Sequence, residues 1–223
     1  MKVLLNDENE IYRLIMLSDP WEKNQWELLN YEENDIICKH HEVYPYFYVL
    51  IEGELNIYHT SEKGKTYSQS VYKSGNYFGE LEIFDKMPYI CEIKALSRVK
   101  LIRLPKSIFE KWIEADNAIT LYLLKSLCRS SYKLSKKAIE DTLYSLKFRI
   151  CDYLILKYKD SLLDLNDFSI SKTLLSERFV VTKRSINRIL KELSDENYIL
   201  VDKGIIKILD LSAIEKQREK ERF

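Results

Sequence analysis

The stretch ISKTLLSERFVVTKRSINRILKELSDENYILVDKGIIKILD, residues 170–210, decides the fold. Leu174, Leu175 and Phe179 recur at helical spacing after Ser171, whose hydroxyl can cap a helix start, so a first short helix is predicted with these three facing inward. Val180-Val181 makes the turn, and a β-branched residue at 180 is expected to avoid positive φ. Thr182 caps a second helix on which Ile186, Ile189, Leu190 and Leu193 follow the i, i+3, i+4, i+7 rule. Burying that stripe turns Lys183, Arg184, Asn187, Arg188 and Lys191 outward. YILV and IIKIL then flank Asp202-Lys203-Gly204, which predicts a hairpin with glycine where positive φ is needed. Two helices and a hairpin in this order make a winged helix-turn-helix.

That order suits the major groove of DNA. Arginine bonds guanine in a bidentate way and asparagine addresses adenine. Arg184 and Arg188, one turn apart, are placed for base edges, with Lys183, Ser185 and Asn187 beside them and Lys191 further along. Thr182, and Ser171 on the first helix, can bond phosphates where backbone N–H groups already favour an anion. The rival is an ordinary helical hairpin with a basic, solvated face. Against it stand the wing and the charge distribution. Residues 172–191 carry six Lys and Arg against Glu177 alone, whereas residues 1–60 carry four against twelve Asp and Glu, within a chain of zero net charge. Such polarity offers one end to a polyanion.

Upstream the punctuation changes. All four prolines lie between Pro20 and Pro105 and four of the five glycines between Gly53 and Gly79, so residues 106–203 contain neither. The first half reads as β-rich and the second as permissive for long helices. YFYVLIEGELNIYHT (46–60) gives two apolar runs joined at Glu52-Gly53. A Lys63-Gly64-Lys65 turn, the strand TYSQSVY, a Ser74-Gly75-Asn76 turn and VKLIRL (99–104) follow. Short strands with glycine-centred turns indicate a small jelly roll.

After Pro105, KSIFEKWI is predicted as a short helix, and a second helical pattern runs from Asn117 to about Tyr144. Leu121, Leu124, Cys128, Ser131, Ser135 and Ala138 recur there at alternating three- and four-residue spacing, a heptad-like seam along which two copies of the chain can pair. The alternative is that this helix packs on its own barrel. The expected class is therefore α+β: an N-terminal double-stranded β-helix (jelly roll) over residues 1–116, a central dimerisation helix over 117–144 and a C-terminal winged helix-turn-helix domain over 145–223.

No apolar run reaches the roughly 18 residues of a membrane span, and the N-terminus is acidic, which points to the cytosol and away from a membrane. Cys38, Cys91, Cys128 and Cys151 lie far apart, with no Cys-x-x-Cys pair to clamp zinc or an iron–sulfur cluster. His40 and His41, read as neighbours in a strand, should point to opposite faces and share no ion, and no cofactor or metal is expected.

At GELNIY (53–58), FGEL (78–81), the long central helix, RICDYL (149–154) and TKRSINRILKEL (182–193) the sequence resembles the CRP/FNR family of bacterial transcription regulators, over nearly the whole chain. The resemblance implies a cyclic-nucleotide-binding-type barrel, a homodimer, a palindromic double-stranded promoter site, contact with RNA polymerase and no catalysis. It places the ribose contacts at Gly79 and Glu80 and the phosphate donors at the N–H groups of Gly79 to Leu81. The family's phosphate-binding Arg-Ser pair falls on Ile90-Cys91. With that charge gone, cyclic AMP is expected to bind at least ten- to a hundredfold more weakly, and Glu80 is expected to serve as a structural corner that bonds local backbone amides. Tyr72, Tyr77, Phe78, Phe84 and Tyr89 are expected to crowd the pocket. Two other readings stand beside this one: a regulator that answers a cyclic nucleotide or another small ligand through a remodelled phosphate site, and a barrel that docks a protein without binding DNA. A cupin-type metal enzyme is set aside, because its His-x-His motif is missing.

Overall fold

The computed structural model describes residues 9–164, 172–202 and 205–221. The chain divides into two compact units, one ending at Arg129 and the other starting at Ser130.

In the first unit α1 (Glu10–Met16) and α2 (Asp19–Glu22) precede strands β1 (Glu27–Tyr31), β2 (Ile36–Cys38), β3 (Tyr46–Glu52), β4 (Leu55–Thr60), β5 (Thr66–Tyr72) and β6 (Tyr77–Phe78). The short helix α3 (Glu80–Asp85), strands β7 (Glu92–Ala95) and β8 (Val99–Pro105), helix α4 (Lys106–Ala115) and helix α5 (Asn117–Leu143) follow. The strands form two antiparallel four-stranded sheets, in the orders β1-β8-β3-β6 and β2-β7-β4-β5. This is the expected jelly roll. The two apolar runs of residues 46–60 are strands β3 and β4, but they lie in different sheets. Gly53 lets the chain cross: its φ is +90°, and a Cβ there would strike the Arg98 carbonyl oxygen.

Strand β3 is buried on both faces, which explains its unbroken apolar run. Phe47, Val49 and Ile51 join a core with Ile102 and Leu104 of β8, Trp21, Phe109, Trp112 and, from α5, Ile119 and Leu123. Tyr48 and Leu50 point the other way, into the barrel, with Leu55, Ile57, Phe78, Ile93 and Leu101. Alternation along a strand thus serves two cores at once.

The first part of α5 packs on the barrel unit through Ile119 and Leu123, whereas Leu121, Leu124, Cys128, Ser131, Ser135 and Ala138 are all exposed. Tyr132, Ile139 and Leu143, also exposed, extend the stripe at the same three- and four-residue spacing.

The histidine expectation is corrected. Strand β2 ends at Cys38 and His41 takes a φ of +65°, so His40 and His41 do not alternate across a sheet. Their rings lie 3.6 Å apart, and His59 of β4 sits 4.4 Å from His40.

The second unit holds the last part of α5, then α6 (Leu146–Asp164), α7 (Lys172–Phe179), α8 (Lys183–Asp195), β9 (Ile199–Asp202), β10 (Ile205–Ile208) and α9 (Leu211–Lys220). Strands β9 and β10 pair antiparallel, with Asp202 opposite Ile205; Lys203 and Gly204 of the predicted turn lie outside the described residues. The core joins Ile150, Leu154 and Ile155 of α6, Leu175 of α7, the four predicted residues of α8, Ile199, Ile206 and Ile214.

Val180 overturns one expectation: its φ is +54°, in the left-handed region. The reversal between α7 and α8 is fastened by the Val181 N–H bonding to the Ser176 carbonyl at 3.1 Å and the Ser176 hydroxyl donating to the Val181 carbonyl at 2.6 Å. Packing of α7 and α8 on one core therefore outweighs the local preference of a β-branched residue. The left-handed region costs an L-residue about 1–2 kcal/mol. Val180, about half exposed, has little burial to lose, so Val180→Gly should raise the unfolding temperature by several degrees in a thermal melt. A fall would show that the valine is not strained.

Candidate DNA-binding surface and effector pocket

Helix α8 is built as its periodicity demands. Thr182 is its N-cap, with Oγ1 accepting from the Ser185 N–H at 3.2 Å. Ile186, Ile189, Leu190 and Leu193 are each at least 98% buried. Lys183, Arg184, Asn187, Arg188 and Lys191 are exposed, and Ser185 is half-buried with its hydroxyl 3.0 Å from that of Thr182. Ser171 lies outside the described residues. Elsewhere in this unit several basic side chains are taken up: Lys147 by Glu192, Arg149 by Asp141, Lys159 by Glu215 and Arg218 by Asp152. Among the described residues no ion pair engages Lys183, Arg184, Arg188 or Lys191, so the outward face of α8 keeps its positive charge. Lys207, exposed on β10, adds a cation to the wing. The alternation in IIKIL would have placed it outward.

On the barrel, Gly79 opens α3 with a φ of +97°, and a Cβ there would strike the Tyr46 carbonyl oxygen. Only glycine brings the chain this close. Glu80 follows, 92% buried, and its Oε2 has no hydrogen-bond partner. Burial pushes its carboxyl up to about 8, against the pull of its own backbone amide and with a further push from the charge of Glu82, itself raised by burial. One oxygen of the Glu80 carboxyl is thus buried unpaired. Cys91 is buried and its Sγ donates to Gln69 Oε1 at 3.2 Å.

Sequence position and orientation part company at the other two pocket residues. Leu81 and Ile90 are exposed and line a groove of about 700 Å³ on the barrel unit, with Phe84, Met87, Leu123 and Leu124. The groove is almost wholly apolar, with Glu82, Asp85 and Glu114 at its sides. Of the five aromatic residues expected in the pocket, Phe78 and Tyr89 are in the barrel core, with Tyr72 partly buried against it. Tyr77 packs on the other core and Phe84 is half-exposed in the groove.

Residues 28–116 match the model of the cyclic nucleotide-binding domain and residues 148–217 that of the Crp-like helix-turn-helix domain. The chain belongs to the CRP/FNR family. This CRP/FNR chain is 30% identical, over 96 residues, to an uncharacterised protein of Haemophilus influenzae, an alignment spanning 43% of this chain and 74% of that one. Its fold is similar to that of a CooA mutant from Carboxydothermus hydrogenoformans, with a TM-score of 0.74 at 12% identity over 96% of this chain and 97% of the other. It is also similar to a putative CRP/FNR-family regulator from Eubacterium rectale, with a TM-score of 0.69 at 14% identity over 96% of each chain. Like other CRP/FNR proteins it is a DNA-binding transcription regulator carrying a barrel of the cyclic-nucleotide-binding type. Among the described residues no helix is long and apolar enough to cross a membrane.

Proposed function

We propose that the protein acts as a homodimer on a palindromic promoter site, reading bases with Arg184 and Arg188 and phosphates with Thr182, Ser171 and Lys191, and that cyclic AMP is not its effector in the usual way. The observation that carries the DNA reading is the uncompensated positive face of α8. In a two-fold arrangement two such helices enter successive major grooves, one helical turn apart. Support for the dimer comes from the exposed stripe of α5, and Leu124 belongs to both that stripe and the groove. Contact with RNA polymerase follows from the family resemblance.

The effector reading rests on charge. Ile90 stands at the family's arginine position with its side chain at the surface, so it offers no positive charge to a cyclic phosphate, and the Glu80 carboxyl, which burial pushes up to about 8, offers none in its place. Titrating the full chain into palindromic duplex at increasing salt tests the whole reading. Two chains should bind per duplex, affinity should fall steeply as salt rises because phosphate contacts release counterions, and millimolar cyclic AMP should leave it unchanged. No affinity at low salt would defeat the DNA reading, and a micromolar response to cyclic AMP the effector reading.

A further inference from the structure

The chain has three histidines, and all three meet at one place on the barrel. The His40 and His41 rings are tilted by 33° at a centroid separation of 3.6 Å, and the His59 ring stands edge-on to His40 at 4.4 Å. Rings stacked this closely leave no room for an ion between them, and among the described residues no group of three or more His, Cys, Asp or Glu is arranged to hold a metal. The arrangement fits neutral imidazoles. We propose that His40, His41 and His59 form a proton-sensitive clasp that holds segment 39–45 against the effector-side segment at Tyr89 and opens when the rings charge.

The connection between clasp and pocket is direct. The His41 N–H donates to the Tyr89 carbonyl at 2.8 Å and the Tyr89 N–H donates to the Glu42 carbonyl at 3.0 Å. The Tyr44 ring stands edge-on to Tyr89 at 5.5 Å, and its hydroxyl donates to Glu42. Tyr89 lies in the loop between α3 and β7, and its side chain is buried in the barrel core. Whatever loosens residues 39–45 therefore loosens the lip of the pocket.

The surroundings admit one proton more readily than two. Glu92 of β7 faces the cluster, and it also accepts from Tyr58, its neighbour across the β4–β7 register. Tyr67 of β5 is opposite His59, and Lys39 and Glu42 pair with each other on the segment itself. His59 Nδ1 is buried without a protein partner. Desolvation and the facing His41 and His59 rings lower the pKa of His40, against the pull of Glu92. A folded pKa below the unfolded value means that the unfolded or opened segment binds more protons, so the closed state is favoured above that window and lost as pH falls through it. Repulsion between unit charges about 4 Å apart costs enough, even in water, for two such pairs to shift an equilibrium by more than tenfold.

Amide hydrogen exchange, read by NMR on the full chain, tests this. After correction for intrinsic exchange, protection of the His41 and Tyr89 amides should fall at least about tenfold from pH 7.5 to 5.5 while the Val49 amide keeps its protection. In the triple variant with glutamine at 40, 41 and 59 the fall should be less than about threefold, and in His59→Gln, which leaves the His40–His41 pair, it should lie between that and the wild-type fall. Protection that ignores pH, or that falls equally in the variants, overturns the proposal. So do three imidazoles that titrate independently at one ordinary value.

Discussion

Arg184→Ala and Arg188→Ala should each flatten the sequence preference at one base pair, whereas Lys191→Ala should weaken binding to all duplexes evenly. The arginines sit on the amino-terminal half of α8 and are turned outward by the burial of Ile186 and Ile189, so their removal leaves the core untouched. A bidentate arginine–guanine contact carries about 1–3 kcal/mol of discrimination, so preference at the affected position should drop by about five- to a hundredfold. Losing one phosphate contact instead lowers the salt slope by about one. Each variant is to be titrated against single-base substitutions of a duplex selected by the wild-type protein. Equal behaviour of all three would mean that α8 docks in another orientation.

Glu80→Gln should stabilise the barrel unit at neutral and alkaline pH and flatten its pH dependence. The Glu80 carboxyl is raised to about 8 in the folded state, from its ordinary value of 4.5. Between those values the folded chain holds a proton that the unfolded chain has released, so stability falls as pH rises through the window. At about 1.4 kcal/mol for each pH unit, the loss by pH 8 reaches about 4 kcal/mol, or roughly 10 °C in unfolding temperature. Glutamine has no charge to bury, so melts of the two proteins should coincide near pH 4.5 and diverge steadily towards pH 8. Other titrating groups are common to both, and the difference between the curves isolates Glu80. Parallel curves would show that its carboxyl is solvated or paired.

The winged unit was legible in the sequence because one physical rule governs it. A helix with four apolar residues on a single stripe has one way to sit, and its charged face follows. Val180 was misread because the turn is set by Leu175 and Ile186 meeting in one core, which local preference does not reveal. In the barrel, alternation showed which residues are buried but not in which sheet they lie, so the separation of β3 and β4 stayed hidden. Counting from FGEL fixed the position of Ile90 without its direction. The histidine cluster escaped because strand alternation was applied beyond the end of β2.

The sheet order bears on how the chain is made. Strands β1 and β3 both pair with β8, in registers that join Glu27 to Arg103 and Phe47 to Leu104. On a growing chain these two strands have no partner along that edge until Val99–Pro105 has emerged, and closing loops of such length is entropically slow. Glu27–Tyr31, which pairs with β8 alone among the described strands, therefore waits longest, and the apolar Tyr46–Glu52 waits with it for that edge, whereas α8, β9 and β10 find one another among near neighbours. Nascent barrels, more than nascent winged units, are the species that a chaperone must shelter from aggregation.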